Sequence, residues 1–199
     1  MTYGPDTKTR IVGAADDLFY RQGFDHTSFA DIADAVRISR GNFYFHFKTK
    51  DQILDAVIGR RMEASRQRLE SYERGCGPAD AIRKFINIVI DNKSDIKRFG
   101  CPLGTLSGEL SKLDHASRTQ AVKLLALFRE WLRAKFTELG FGEEADDYAM
   151  HVLAWSQGVA TLTNAFRDDR FIRREVEQIN AWLDMQLETT SSRTRQGKA

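Results

Sequence analysis

The sequence predicts an all-α protein, and three observations support that class. Apolar residues recur at spacings of three and four over most of the 199 residues, as on the buried face of a helix. No run shows the alternation of apolar and polar β-branched residues that is typical of a half-buried strand. Glycine and the chain's three prolines interrupt the periodic segments at only a few points. We therefore expect about nine helices with short connections.

Composition limits the class of protein more than it indicates a function. Hydrophobic residues make up 42% of the chain, enough for a real core, and the formal net charge is only +2. No apolar run approaches the length of a membrane span and the amino terminus is polar, so we expect a cytoplasmic protein. Cys76 and Cys101 lack the paired spacing of a structural zinc site or a disulfide framework, and we expect no metal and no cofactor.

The first helix is predicted over about residues 8–22. Gly23 is expected to end this helix. Its inward face holds Ile11, Ala14, Ala15, Leu18 and Phe19, at spacings of three and four.

Two short helices follow, joined by a tight connection. Ser28 and Asp31 predict a capped start for the first of them, and Ser39 predicts a cap for the second. Only Val36–Ile38 separates the two, so they must cross at a steep angle. This arrangement is the helix-turn-helix, in which the second helix presents its amino-terminal residues to base edges in DNA.

Charge in this segment agrees with DNA binding. Between Asp34 and Asp51 the sequence has no acidic residue. Arg37, Arg40 and two lysines fall in the same interval, so the segment can meet phosphates without self-repulsion. An ordinary solvated helical hairpin is the alternative, and the flanking sequence weighs against it.

With those flanks, the segment resembles the DNA-binding domain of the tetracycline-repressor (TetR) family of bacterial transcriptional regulators over about fifty residues. The resemblance rests on the Ala15, Phe19 and Gly23 pattern, the Ile32-Ala33 pair, the Phe43-Tyr44-x-x-Phe47 signature, and Lys50 before Leu54. It implies an all-helical second domain with a cavity for a small-molecule effector. Repression is the family's usual mode.

One residue departs from the family pattern. The turn usually carries glycine where this chain has Arg37, and a left-handed backbone costs arginine roughly 1 kcal/mol more than glycine. We therefore expect either a slightly different turn or an Arg37 side chain that itself reaches a phosphate.

The DNA contacts are assigned by residue chemistry. Arg40 suits guanine, Asn42 suits adenine and Phe43 suits a thymine methyl group. Gly41 lies between the first two in the same turn. Phosphate contacts are assigned to Thr27, Ser28, Ser39, Tyr44, His46 and Lys50.

Beyond this segment the pattern predicts a larger helical region. A capping box at Thr49 and Gln52 opens a long helix to about Arg74, and further helices are expected over about 78–92, 102–112 and 115–139. We place the DNA-binding domain at residues 1–50, an effector-binding and dimerisation domain at 51–189, and a disordered tail at 190–199.

The last two helices carry long apolar stripes. We expect these stripes to pair with their counterparts in a second subunit as a four-helix bundle, although both could instead be core within one chain. The predicted interface comprises Val152, Trp155, Val159, Leu162, Phe166, Val176, Ile179 and Leu183.

The family resemblance also implies an effector cavity. Its lining would be apolar and aromatic, so we expect an apolar or aromatic effector. The candidate residues are Phe85, Val89, Phe99, Cys101, Leu103, Phe128, Trp131 and Trp155.

Three other functions compete with an effector-controlled repressor that binds an inverted-repeat operator as a homodimer. Cys101, at a predicted helix start, could sense oxidants or electrophiles. A helical small-molecule-binding protein that no longer reads DNA is a second alternative, and the Arg37 departure is its only support. An enzyme is the third, but we find no catalytic motif and expect none.

Overall fold

The structure, a computed structural model, describes residues 6–113 and 115–196, and within them it is helical without a strand. The all-α prediction is confirmed. A short 3-10 helix covers Gly142–Glu144, and no described helix is long and apolar enough to cross a membrane. The α-helices are α1 (Thr7–Gln22), α2 (Phe29–Val36), α3 (Arg40–His46), α4 (Lys50–Glu73), α5 (Pro78–Asp91), α6 (Lys93–Phe99), α7 (Pro102–Lys112), α8 (Arg118–Glu138), α9 (Ala145–Phe166) and α10 (Asp169–Gln196).

Two elements differ from the sequence prediction. The short helix α6 was not predicted, because its seven residues are too few to show a period. The expected disordered tail is wrong for residues 190–196, since α10 continues to Gln196. No glycine or proline interrupts that stretch, and the Thr189 hydroxyl donates to the Met185 carbonyl one turn earlier. Residues 197–199 lie outside the described residues.

The chain divides into two compact units that interleave along the sequence. Unit 1 contains the residues up to Ser65 together with Pro102–Leu125. Unit 2 contains Arg66–Cys101 and the residues from Ala126 onward. The predicted functional boundary after residue 50 stays a prediction.

Unit 1 is built on a small core that α1 to α4 share. Ile11, Ile32, Phe43 and Ile53, one from each helix, are all buried there. Gly23, with φ +93°, ends α1 as predicted, and its backbone N–H donates to the Phe19 carbonyl. The core fixes the orientation of α3, because the Phe43 side chain of that helix is buried in it.

Helix α7 packs against α1 in this unit, and Arg61 of α4 hydrogen-bonds to both helices. Arg61 of α4 is only 8% exposed, and its Nε donates to Asp16 Oδ1 of α1 over 2.6 Å. The Arg61 Nη1 donates to the carbonyl oxygen of Pro102 at the start of α7, at 2.5 Å. A buried guanidinium needs such partners, since an unpaired buried charge is strongly destabilising.

Unit 2 packs α9 against α5, α6 and α10, and α10 also packs on α5. This packing corrects the predicted subunit interface, because five of its residues are core within one chain. They are Val152, Val159, Val176, Ile179 and Leu183, all buried. Leu162 and Phe166 remain exposed and Trp155 is half-buried.

Candidate nucleic-acid interface

The start of α2 carries the predicted capping box. The Asp31 backbone N–H donates to Ser28 Oγ at 3.2 Å, and the Ser28 backbone N–H donates to Asp31 Oδ2 at 2.7 Å. The Asp31 carboxylate accepts hydrogen bonds from the Ser28 backbone N–H and from the Ser28 hydroxyl, and these two bonds hold the pKa of Asp31 below its ordinary value. The Ser28 hydroxyl donates to Asp31 Oδ2 at 2.7 Å. Its contact with a DNA phosphate stays a prediction.

The turn between α2 and α3 is left-handed at Arg37, with φ 55° and ψ 52°. Its backbone thus takes the conformation that suits glycine, despite the arginine. The Arg37 N–H donates to the carbonyls of Ala33 and Asp34, which closes α2. The Arg37 side chain is exposed, so it is free to meet solvent or a phosphate.

Ser39 caps α3 as predicted, because its Oγ accepts the Asn42 backbone N–H at 3.3 Å. Arg40, Gly41 and Asn42 are all exposed in the first turn of the helix. Tyr44 is also exposed, and His46 is half-buried. The structure therefore brings these predicted contact residues together on one accessible helix surface.

Two predicted DNA contacts are wrong because their side chains are buried. Phe43 is 1% exposed and packs at 5.2 Å, between ring centroids, against Phe29. Thr27 is also 1% exposed, and its hydroxyl donates to the carbonyl of Gly23 at 2.7 Å. Both residues hold the fold of unit 1 and have no surface to offer a nucleic acid.

Two lysines follow α3. Lys50 Nζ donates to the carbonyl of Asp25 at 3.0 Å and lies 4.4 Å from the centroid of the Phe24 ring. Lys48 is exposed and its Nζ donates to the Tyr44 carbonyl at the end of α3. Both add positive charge beside the exposed face of α3, and Lys50 has a structural contact as well.

Sequence reasoning missed two residues of this region. Phe45 is 77% exposed on α3, although the helical period with Phe43 and Phe47 inward could have placed it outward. Glu109 of α7 accepts hydrogen bonds from the backbone between α1 and α2. No local pattern indicates that contact, since it joins residues more than 80 positions apart.

The candidate effector residues are distributed over both units. Leu103 belongs to unit 1, and the other seven belong to unit 2. Within unit 2 the Phe85 ring lies 5.6 Å from Phe128 and 6.0 Å from Trp131, between centroids. Tyr72 joins this cluster at 6.5 Å from Trp131, and burial raises the pKa of its hydroxyl.

The remaining candidates in unit 2 differ in their burial. Val89 is buried in α5, and Phe99, Cys101 and Trp155 are half-buried. Cys101 lies immediately before α7 and is not part of a disulfide.

Comparison with known proteins agrees with the helix-turn-helix. Residues 11–57 match the family model of bacterial regulatory proteins of the tetR family. Residues 78–178 match the model of the carboxy-terminal domain of LmrA/YxaF-like transcriptional regulators. Together the two models cover most of the chain, and they favour transcription regulation over a helical binding protein that does not read DNA.

Individual proteins give the same result. The chain is 29% identical over 168 residues to an uncharacterized HTH-type transcriptional regulator in the lacX 3′ region of Lactococcus lactis, covering 82% of this chain and 86% of that protein. It is 29% identical over 151 residues to the uncharacterized regulator YxaF of Bacillus subtilis, covering 72% and 77%. A TetR transcriptional regulator from Legionella pneumophila has the same fold, with a TM-score of 0.80 at 23% identity over 94% of this chain and 99% of that one. The chain therefore belongs to the tetR family of bacterial transcriptional regulators, with a DNA-binding helix-turn-helix near its amino terminus.

Proposed function

We propose that this protein is an effector-responsive repressor that binds an inverted-repeat operator as a homodimer. The observation that carries the proposal is the accessible face of α3. Arg40, Gly41 and Asn42 are exposed in its first turn, while Phe43 fixes the helix to the core of unit 1. A helix that is held to the core on one side and exposed on the other fits the major groove.

The exposed residues divide into base and phosphate contacts. Arg40 donates to guanine and Asn42 pairs with adenine, because their side chains match those base edges. Arg37, Ser39, Tyr44, His46 and Lys50 would hold phosphates and set the register of the helix, and Ser28 would contribute from α2. No acidic residue lies between Asp34 and Asp51 to oppose them.

Pairing of two chains is supported by an exposed apolar surface on the last two helices. On α9, Leu162 is exposed, Phe166 is 73% exposed and Trp155 is half-buried, and on α10 Met185 is exposed. We call these four residues the pairing surface. A second copy that covers it would place two α3 helices on one duplex, with half-sites about 34 Å apart.

The effector is proposed to be apolar or aromatic and to bind in unit 2. The cluster of Tyr72, Phe85, Phe128 and Trp131 provides aromatic surface of the kind that lines small-molecule sites. Binding would favour a conformation whose two α3 helices no longer match the groove spacing. An effector preference of a few kcal/mol for that conformation is enough to release the operator.

Two substitutions, one in α3 and one just after it, test the DNA-binding part of the proposal. Arg40→Ala should relax preference at one base pair of each half-site, because it removes a base contact. Lys50→Ala should weaken operator and random DNA alike and reduce the salt dependence of binding. Equal losses on operator and random DNA for both variants would overturn the division into base and phosphate contacts.

The pairing surface is tested separately by sedimentation. Phe166→Glu should shift the protein toward the monomer and weaken operator binding, because it places a charge where the partner would pack. Glu177→Ala, an exposed position elsewhere on α10, serves as the control and should leave the dimer intact. A Phe166→Glu protein that sediments as a dimer would refute this surface.

A further inference from the structure

Helix α3 has a well-defined outer face. Phe43 is buried and marks the inner side of the helix. At 3.6 residues per turn, Gly41 and Phe45 each lie about 160° around the axis from Phe43. These two residues, one turn apart, therefore form the part of α3 that projects farthest from unit 1.

Phe45 is the large apolar side chain on that outer face. Its ring is 77% exposed, the highest exposure among the large hydrophobic residues that the structure describes. The ring meets the edge of His46, its neighbour in sequence, at 5.2 Å between centroids. Phe45 thus contributes little to the core, in contrast to Phe43 and Phe47, which are both buried.

Gly41 allows the same face to approach another surface closely. Nothing lies within 4 Å of the position that a Cβ atom on Gly41 would occupy. A helix with no side chain at that point can bring its backbone near the floor of the major groove. At such a close approach Phe45, one turn later, would contact the base edges and no longer face solvent.

The chemistry of the groove identifies what a phenyl ring would contact there. Base edges in the major groove are hydrogen-bond donors and acceptors, with one apolar group, the C5-methyl of thymine. A phenylalanine ring offers no hydrogen bond and gains by covering a methyl group. The ring therefore discriminates between thymine and bases that lack the methyl group.

We propose that Phe45 is a specificity-determining residue that reads thymine methyl groups in the operator half-site. The inference rests on the proposed function and refines it, because it assigns to Phe45 the apolar base contact that the sequence had suggested for Phe43. Gly41 acts as the position of close approach. The ligand group is the thymine C5-methyl of duplex DNA.

The test replaces each thymine of a selected operator half-site, one at a time, by deoxyuridine, which removes only the methyl group. For the wild-type protein, replacement at one or two positions should weaken binding roughly fourfold, because the free energy of burying one methyl group corresponds to a change of that size in the dissociation constant. Phe45→Ala should bind the thymine and uracil forms of those positions equally. Phe45→Leu, which keeps an apolar side chain, should retain part of the preference.

Tyr44→Phe is the matched control on the same helix. It removes a hydroxyl proposed to hold a phosphate, so it should weaken all duplexes and keep the wild-type ratio between thymine and uracil. A wild-type protein indifferent to every such replacement would overturn the inference, and so would a Phe45→Ala protein that keeps the wild-type ratio. A wild-type protein that binds no duplex would overturn the proposed function itself, and this inference with it.

Discussion

Glu109 of α7 accepts a hydrogen bond from the backbone N–H of Asp25, with 2.9 Å between nitrogen and oxygen. Its other carboxylate oxygen accepts from the backbone N–H of Phe24, also at 2.9 Å. Both N–H groups belong to the connection between α1 and α2, at the entry to the helix-turn-helix. A side chain from α7 therefore holds the backbone that leads into the DNA-binding segment.

Replacing Glu109 should destabilise unit 1. Glu109→Ala leaves two backbone donors without their acceptor, and we expect a loss of about 1–2 kcal/mol in the free energy of unfolding. Glu109→Gln should lose less, because its single carbonyl oxygen can still accept one of the two hydrogen bonds. Urea titration measures both changes. Glu143 is exposed, so Glu143→Ala serves as the control and should change the free energy of unfolding by nearly zero. Equal stability of Glu109→Ala and Glu143→Ala would contradict the role assigned to Glu109.

Gly23 should tolerate no side chain. Its φ of +93° is rare for other residues, and a Cβ atom there would lie 3.0 Å from Glu109 Oε1. We expect Gly23→Ala to lower the free energy of unfolding by about 1–3 kcal/mol. Gly59→Ala is the matched control within α4, where nothing lies within 4 Å, and it should stabilise by about 0.5–1 kcal/mol. Similar effects of the two substitutions in thermal or urea unfolding would show that the close approach is absent.

Arg37 should show opposite effects on stability and on DNA binding. Glycine adopts the left-handed conformation at this position without strain, so Arg37→Gly should stabilise the protein by about 0.5–1 kcal/mol. The same change removes an exposed cation and should weaken binding to all duplexes. Arg167→Gly, at φ 57° after α9, should give the stabilisation without the loss of DNA affinity. Loss of stability in Arg37→Gly, or unchanged DNA affinity, would contradict this account.

Asp31 should make the stability of the helix-turn-helix depend on pH. The pKa of its carboxyl is below the ordinary 3.8 because the Ser28 backbone and hydroxyl donate to it. A carboxyl whose pKa is lower in the folded state contributes stability above its unfolded pKa and loses it as pH falls through the folded pKa. The difference in unfolding free energy between wild type and Asp31→Ala should therefore shrink as pH falls from about 5 to about 2.5. If the difference in unfolding free energy stays constant over that pH range, protonation of Asp31 is not linked to the stability of the fold.

Local signals predicted the backbone of the DNA-binding segment well. The Ser28 and Ser39 caps and the Gly23 stop involve residues within four positions of each other, so the sequence displays them directly. The capping box at the start of α4 differs in one detail. The Thr49 Oγ1 accepts from the Gln52 N–H as predicted, but the Gln52 side chain accepts from Lys48 in place of Thr49.

Properties that depend on distant packing could not be read in the same way. The sequence shows the apolar stripes of α9 and α10, but a period does not indicate which surface covers a stripe. Within the same chain α9 packs on α5 and α6, and α10 packs on α5. For the same reason Phe43 was assigned to DNA although it faces the core. Glu109 carries no local signature, because its partners lie at the other end of unit 1 in sequence.

The most direct test of the central claim is the selection of bound sites from a pool of random duplex DNA by the full-length protein. We predict enrichment of an inverted repeat whose half-sites are centred about one helical turn apart, and loss of that enrichment at one position per half-site for Arg40→Ala. Recovery of no preferred sequence, or of a single asymmetric site, would contradict a paired molecule that reads DNA through α3.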